Sequence, residues 1–126
     1  NGADISLQHA SSGRFVVFVA GISVLTSANT YTGTALRSLI VSWEPSSGLL
    51  AMEVGGEAVQ TTTISPTLTS GPLRLGASRD GAGGQFRPLT EGRISCVSFH
   101  TASLHAPSNS GALGNVKAYL SEYIGA

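Results

Sequence analysis

Short runs of β-branched and aromatic residues, each closed by a turn signal, recur along most of the chain and constrain its fold more than any other feature. Within Asp4 to His9, Ile5 and Leu7 alternate onto one face of a strand, and Ser11-Ser12-Gly13 then turns the chain. Arg14 to Val19 is a dense strand-forming run, and Gly21 to Thr26 continues it as a hairpin or bent meander. Asn29 to Thr34 is a polar Thr/Gly loop. Leu36 to Trp43 reads as a strong strand, with Leu39, Val41 and Trp43 on one face and Ile40 on the other. Glu44-Pro45-Ser46-Ser47-Gly48 is a turn with a mechanism, because Pro45 presets φ and Gly48 permits positive φ. Leu49 to Val54 is its return strand, and Gly55-Gly56 predicts a tight two-residue hairpin turn. Glu57 to Ile64 follows as a Thr-rich strand near a sheet edge.

Beyond a loop from Pro66 to Pro72 the pattern thins. Leu73 to Ala77 is a short strand, Asp80 to Gly84 a glycine-rich loop, Arg93 to Phe99 the last clear strand, and Ser103 to Gly111 irregular. The period then changes: Leu113, Val116, Leu120 and Ile124 fall on one face of a helix, with Tyr119 and Tyr123 beside it and Gly125 as its stop. Six to eight strands followed by one short helix define an all-β chain, a sandwich or barrel with a terminal helix packed across a sheet end. No internal repeat suggests a propeller or solenoid.

Composition narrows the function. The chain has 126 residues, the size of a single domain, and 41% of them are hydrophobic, enough for a core. Charged residues make up 11%, against roughly 25% in typical globular domains. Seven basic residues balance seven acidic ones, so no net field recruits nucleic acid. No apolar run approaches the roughly 18 residues of a membrane span, so this segment is not expected to insert in a membrane. Cys96 is a lone cysteine and reads as a small buried strand residue rather than a pairing or reactive thiol. The chain opens at Asn1 with neither an initiator Met nor a signal-peptide pattern, which reads as an internal start. Abundant Gly, Ser and Thr suit an all-β protein with many turns in an extracellular or secreted setting.

Three blocks, in order, carry a family resemblance. The first runs from Ser42-Trp43-Glu44-Pro45-Ser46-Ser47-Gly48 through Leu49-Leu50-Ala51-Met52-Glu53-Val54-Gly55-Gly56-Glu57. The second is Leu75-Gly76-Ala77-Ser78-Arg79-Asp80-Gly81-Ala82-Gly83-Gly84-Gln85-Phe86, and the third is Gly92-Arg93-Ile94 to Phe99, then Leu104, Pro107 and the helix. Together these resemble the pentraxin and laminin-G-like pattern within the concanavalin A-like lectin and glucanase superfamily. The resemblance implies an antiparallel jelly-roll β-sandwich with one short C-terminal helix. Residues 1–126 then correspond to a central and C-terminal portion of a longer domain, its sheets completed by further strands of the same parent protein or another chain.

The same resemblance directs attention to the loop after Leu75-Gly76, where many pentraxins hold calcium. Calcium takes six to eight oxygen ligands. Asp80 is the one clear match to a family ligand position, and Arg79 and Arg87 stand where a ligand group belongs and repel a bare cation. Calcium is therefore disfavoured and no cofactor is expected. Arg79, Asp80, Gln85 and Arg87 form instead a candidate ligand-binding set, in which arginine pairs with an anionic ligand group among glycines that permit close backbone approach.

The other chemistry-bearing residues form no catalytic pattern. Glu53 and Glu57 are four residues apart, but Gly55-Gly56 turns the chain between them, unlike the paired carboxylates of a retaining glycanase. Glu44 and Glu91 sit beside turns. His9, His100 and His105 lack metal-ligand spacing and read as surface or capping groups. No nucleophile elbow accompanies the serines, no P-loop follows the glycines, and Trp43 reads as core. The expected function is a non-enzymatic, lectin-like recognition or adhesion module whose ligand is a glycan, a lipid headgroup or a protein. The alternative is a structural assembly module with no small ligand.

Overall fold

The computed structural model describes residues 5–33, 35–65, 77–79, 86–88, 98, 100 and 102–124. Alternation of the sequence runs becomes six main strands: β1 (Ile5–His9), β2 (Phe15–Val19), β3 (Ile22–Thr26), β4 (Leu39–Glu44), β5 (Leu49–Val54) and β6 (Gln60–Thr63). They form two three-stranded antiparallel sheets, ordered β1-β2-β3 and β4-β5-β6. Each sheet is a meander of sequence neighbours, so every connection within it is short. A separate antiparallel pair, β7 (Ala77–Arg79) with β8 (Phe86–Pro88), lies between the sheets and the C-terminal segment in chain order. The chain then makes a 3₁₀ turn at Pro107–Asn109 and ends in helix α1 (Ser110–Ile124).

The period-2 faces decide how the sheets meet. Val17, Val19 and Leu25 from the first sheet and Leu50, Met52 and Val54 from the second form one buried cluster. Leu39, Val41 and Trp43 pack against it from the inner face of β4, as the alternation predicts, while Ile40 is buried on the opposite face. The fold is thus mostly β and sandwich-like. The register between β2 and β3 shifts after Val17 and gives β3 the extra residue Val24, which also packs on the core.

Turns follow their residues. The β2–β3 hairpin closes through Ala20 and Gly21, both at positive φ, the requirement of the two-residue turn whose twist matches the strands. Gly48 closes β4–β5 at φ +73°, and a Cβ there would lie 2.3 Å from the Ile64 carbonyl oxygen, so neither the conformation nor the space admits a side chain.

Three boundaries differ from expectation. β4 begins at Leu39 rather than Leu36, because Leu36 to Ser38 belong to the loop that precedes it. β6 begins at Gln60 rather than Glu57, so the Gly55-Gly56 turn opens a longer connection. Gly55 N–H donates to the Ser38 carbonyl, and Glu57 N–H donates back to that of Val54. Of the expected Arg93–Phe99 strand, only Ser98 is among the described residues, and it is not in a strand. The loop at Pro66–Pro72 and the lone Cys96 lie outside the described residues.

Helix α1 has the predicted face, with Leu113, Val116, Leu120 and Ile124 half-buried. No residue in it is fully buried.

Candidate functional site

The loop between β3 and β4 holds the more open of two polar clusters. Glu57, in the turn after β5, reaches across to it. One carboxylate oxygen accepts the Asn29 N–H at 2.8 Å and the Tyr31 hydroxyl at 2.5 Å, and the other accepts the Ala28 N–H at 2.9 Å. Burial alone would raise the Glu57 pKa, but the bonds from Tyr31, Asn29 and Ala28 outweigh it and hold the carboxyl below its ordinary value. The Tyr31 phenol is pushed up, first by burial and then by its bond to Glu57 and that residue's negative charge.

Tyr31 is fixed at its other polar atoms too. Its N–H donates to the Gly13 carbonyl at 2.6 Å, and its own carbonyl lies 2.9 Å from His9 Nε2. Its ring packs on Phe15 with centroids 5.6 Å apart, and Phe15 in turn packs on His9. Ser27 steadies the start of the loop: its hydroxyl accepts the Phe15 N–H and donates to the Asn29 carbonyl. On this platform the exposed Arg37 guanidinium lies 5.4 Å from the Tyr31 ring centroid, a cation–π contact. Thr30, Tyr31, Thr32, Gly33, Ala35 and Arg37 line an open concavity of about 190 Å³.

The second cluster is buried on the outer face of β4–β5. Ile40 and Ser42 on β4 oppose Glu53 and Ala51 on β5, so Ser42 and Glu53 are diagonal neighbours on one face. His105 covers them. Its Nε2 lies 3.4 Å from one Glu53 oxygen, and its Nδ1 lies 2.6 Å from the Ser42 hydroxyl. A carboxylate only accepts, so Nε2 carries a proton; in the neutral ring Nδ1 then accepts from Ser42. Ser42 also accepts the His105 N–H at 3.3 Å, and Lys117 of α1 reaches the other Glu53 oxygen at 2.5 Å.

These are the residue types of a serine hydrolase, in a buried setting. A nucleophilic serine must meet substrate and an oxyanion hole. Ser42 is 8% exposed and sits under the buried Leu104–Ala106 segment. The network pairs Glu53 with Lys117 and His105 and joins the C-terminal segment to the sheet. His105 is therefore an interior bridge, contrary to its reading as a surface or capping group. Exposed His9 and His100 carry single hydrogen bonds, to Tyr31 and Ser98.

The residues singled out from sequence are only partly placed. Arg79 pairs in register with Phe86, and Arg87 with Ser78. These positions are one step apart in the ladder, and successive positions alternate faces, so the two arginine positions fall on opposite faces of the β7–β8 pair. Asp80 and Gln85 lie outside the described residues. Glu53 and Glu57 serve separate partner sets, and Glu44 accepts the Ser47 hydroxyl within its own turn. Trp43 packs on the core, and its buried Nε1 has no hydrogen-bond partner among the described residues. Among those residues no group of three His, Cys, Asp or Glu side chains is gathered for a metal, and no helix is long and apolar enough to cross a membrane.

What these elements define is an antiparallel, mostly β chain with a terminal helix and a loop-borne polar concavity. Compared with protein-family models, curated proteins and solved structures, the chain matches none of them.

Proposed function

We propose that this chain is a non-enzymatic recognition module of an extracellular or secreted parent protein, binding its ligand through loops of the sandwich. The observation that carries the reading is the Glu57-anchored loop. Its backbone and aromatic ring are held at many points, yet its outward groups, the Arg37 guanidinium and the Thr30 and Thr32 side chains, are exposed. A rigid scaffold presenting adaptable polar groups is the arrangement that binding loops use. The resemblance to pentraxin and laminin-G-like domains points the same way. Within that reading the jelly-roll connectivity needs strands beyond β1–β6, supplied by the remainder of the chain, its parent or another chain. Glycan, lipid headgroup and protein are the ligand classes to test.

One observation favours a structural assembly role instead. Ile22 is 69% exposed, and Leu7, Leu36 and Val59 also present large apolar side chains to solvent. The two readings separate on a glycan and phospholipid-headgroup array probed with calcium and then with chelator. Binding that survives the chelator supports a calcium-independent recognition module. Binding lost with the chelator restores the Asp80 loop as a calcium site. Silence in both conditions overturns the recognition reading in favour of assembly.

A further inference from the structure

We propose that the Tyr31–Arg37 concavity is a subsite for a singly charged acidic sugar, its carboxylate or sulfate ester paired with Arg37. The inference rests on the recognition reading and names the ligand chemistry of that same loop.

The charge balance selects the ligand. Among the described residues Arg37 pairs with no carboxylate, and its guanidinium lies over the Tyr31 ring. Glu57, the acid that anchors the loop, is engaged by two N–H groups and a hydroxyl and has no need of the guanidinium. A planar guanidinium with free N–H groups matches a carboxylate or sulfate in a forked pair. One cation beside one anchored carboxylate suits a monoanion, whereas a phosphate dianion meets the negative charge of Glu57 with too few donors to offset it.

Shape and lining select the sugar. The concavity of about 190 Å³ is lined by threonines, glycine, alanine, the tyrosine and the arginine, so it offers polar contact over a small footprint rather than an apolar channel for an acyl chain. The Thr30 and Thr32 methyl groups rest against Gly13, where an added Cβ would lie 2.7 and 3.0 Å from them. The Tyr31 side of the subsite is also preorganised, because the Tyr31 N–H, carbonyl, hydroxyl and ring are already held.

The test is a titration of the 126-residue chain, followed by amide NMR shifts, with glucuronic acid, glucose 6-sulfate, glucose and glycerol phosphate. The expected result is shifts at Tyr31 to Arg37 on adding the two monoanionic sugars, with glucose roughly tenfold weaker or more. Arg37→Gln, an exposed substitution that leaves the fold intact, should abolish that preference, and Arg37→Lys should restore part of it. Equal binding of charged and neutral sugars, preferred binding of glycerol phosphate, or an unaltered Arg37→Gln variant overturns the subsite. Glycan binding on the array that Arg37→Gln leaves intact would refute this subsite and keep the recognition module, while silence on the array refutes both.

Discussion

Replacing Glu57 by Gln tests whether one side chain organises the β3–β4 loop. Gln retains one acceptor oxygen, which can continue to serve Asn29 and Tyr31, but it turns an NH₂ toward the Ala28 N–H. A hydrogen bond to a charged acceptor contributes about 1.5–3 kcal/mol, and the partial exposure of this loop places these bonds at the lower end. Losing one bond outright costs about 1.5 kcal/mol, and reducing the other two to neutral strength costs about 0.5 kcal/mol each. The expected loss is about 2.5 kcal/mol, or a fall in Tm of about 10 °C for a chain of this size. Urea unfolding read by Trp43 fluorescence measures it. The pH dependence adds a sharper criterion. Glu57 titrates lower in the folded chain than in the unfolded one, so its stabilisation is complete above the ordinary glutamate range and disappears as pH falls through the folded value. The gap between the wild type and Glu57→Gln should therefore close on acidification, because protonated Glu57 also loses an acceptor. A gap that stays constant from about pH 7 to about pH 3, or a variant within about 0.5 kcal/mol of wild type at neutral pH, refutes the reasoning.

Other perturbations address separate parts of the molecule. Leu50→Ala empties a fully buried site shared by both sheets and should cost about 2–5 kcal/mol in urea unfolding. Ala20→Gly should raise stability by about 1 kcal/mol, since Ala20 holds a left-handed φ of 52°; a loss would show that the turn is not strained. His105→Ala leaves Ser42 Oγ without its acceptor and removes one partner of buried Glu53, for a loss of about 2–3 kcal/mol. Hydrogen exchange in α1 should accelerate with it.

Local chemistry made most of the fold readable. Alternation placed β1, β2, β3 and β5 within a residue or so, and it put Leu39, Val41 and Trp43 on the core side. The helix face of Leu113, Val116, Leu120 and Ile124 follows from its period alone. Boundaries failed where a polar side chain works at a distance. Glu57 reads as a strand residue until its partners at Ala28, Asn29 and Tyr31 are known. Leu36 to Ser38 read as strand because their apolar and polar pattern continues into β4, although Ser38 caps the Gly55 turn instead. The two polar clusters were less legible still. Ser42 and His105 are 63 residues apart, and no spacing rule connects them. Arg37 lay hidden inside an expected strand, while the arginines that drew attention, Arg79 and Arg87, lie in the separate β7–β8 pair. A Thr/Gly loop followed by an arginine was the available signal for the concavity.

The polar attachment of the terminal helix also sets the order in which the molecule comes apart. The sheets share an oily interior, but α1 contributes no fully buried residue, and its described charged tie to β5 is the half-exposed Lys117. Amide protons in the helix should consequently exchange through a partial opening well below the free energy of global unfolding. In refolding, the union of His105 with Ser42 and Glu53 requires both strands to be paired already, so the helix docks onto a finished sheet rather than helping to nucleate it. On these described contacts, the segment from Leu104 through α1 docks late and yields separately from the two sheets.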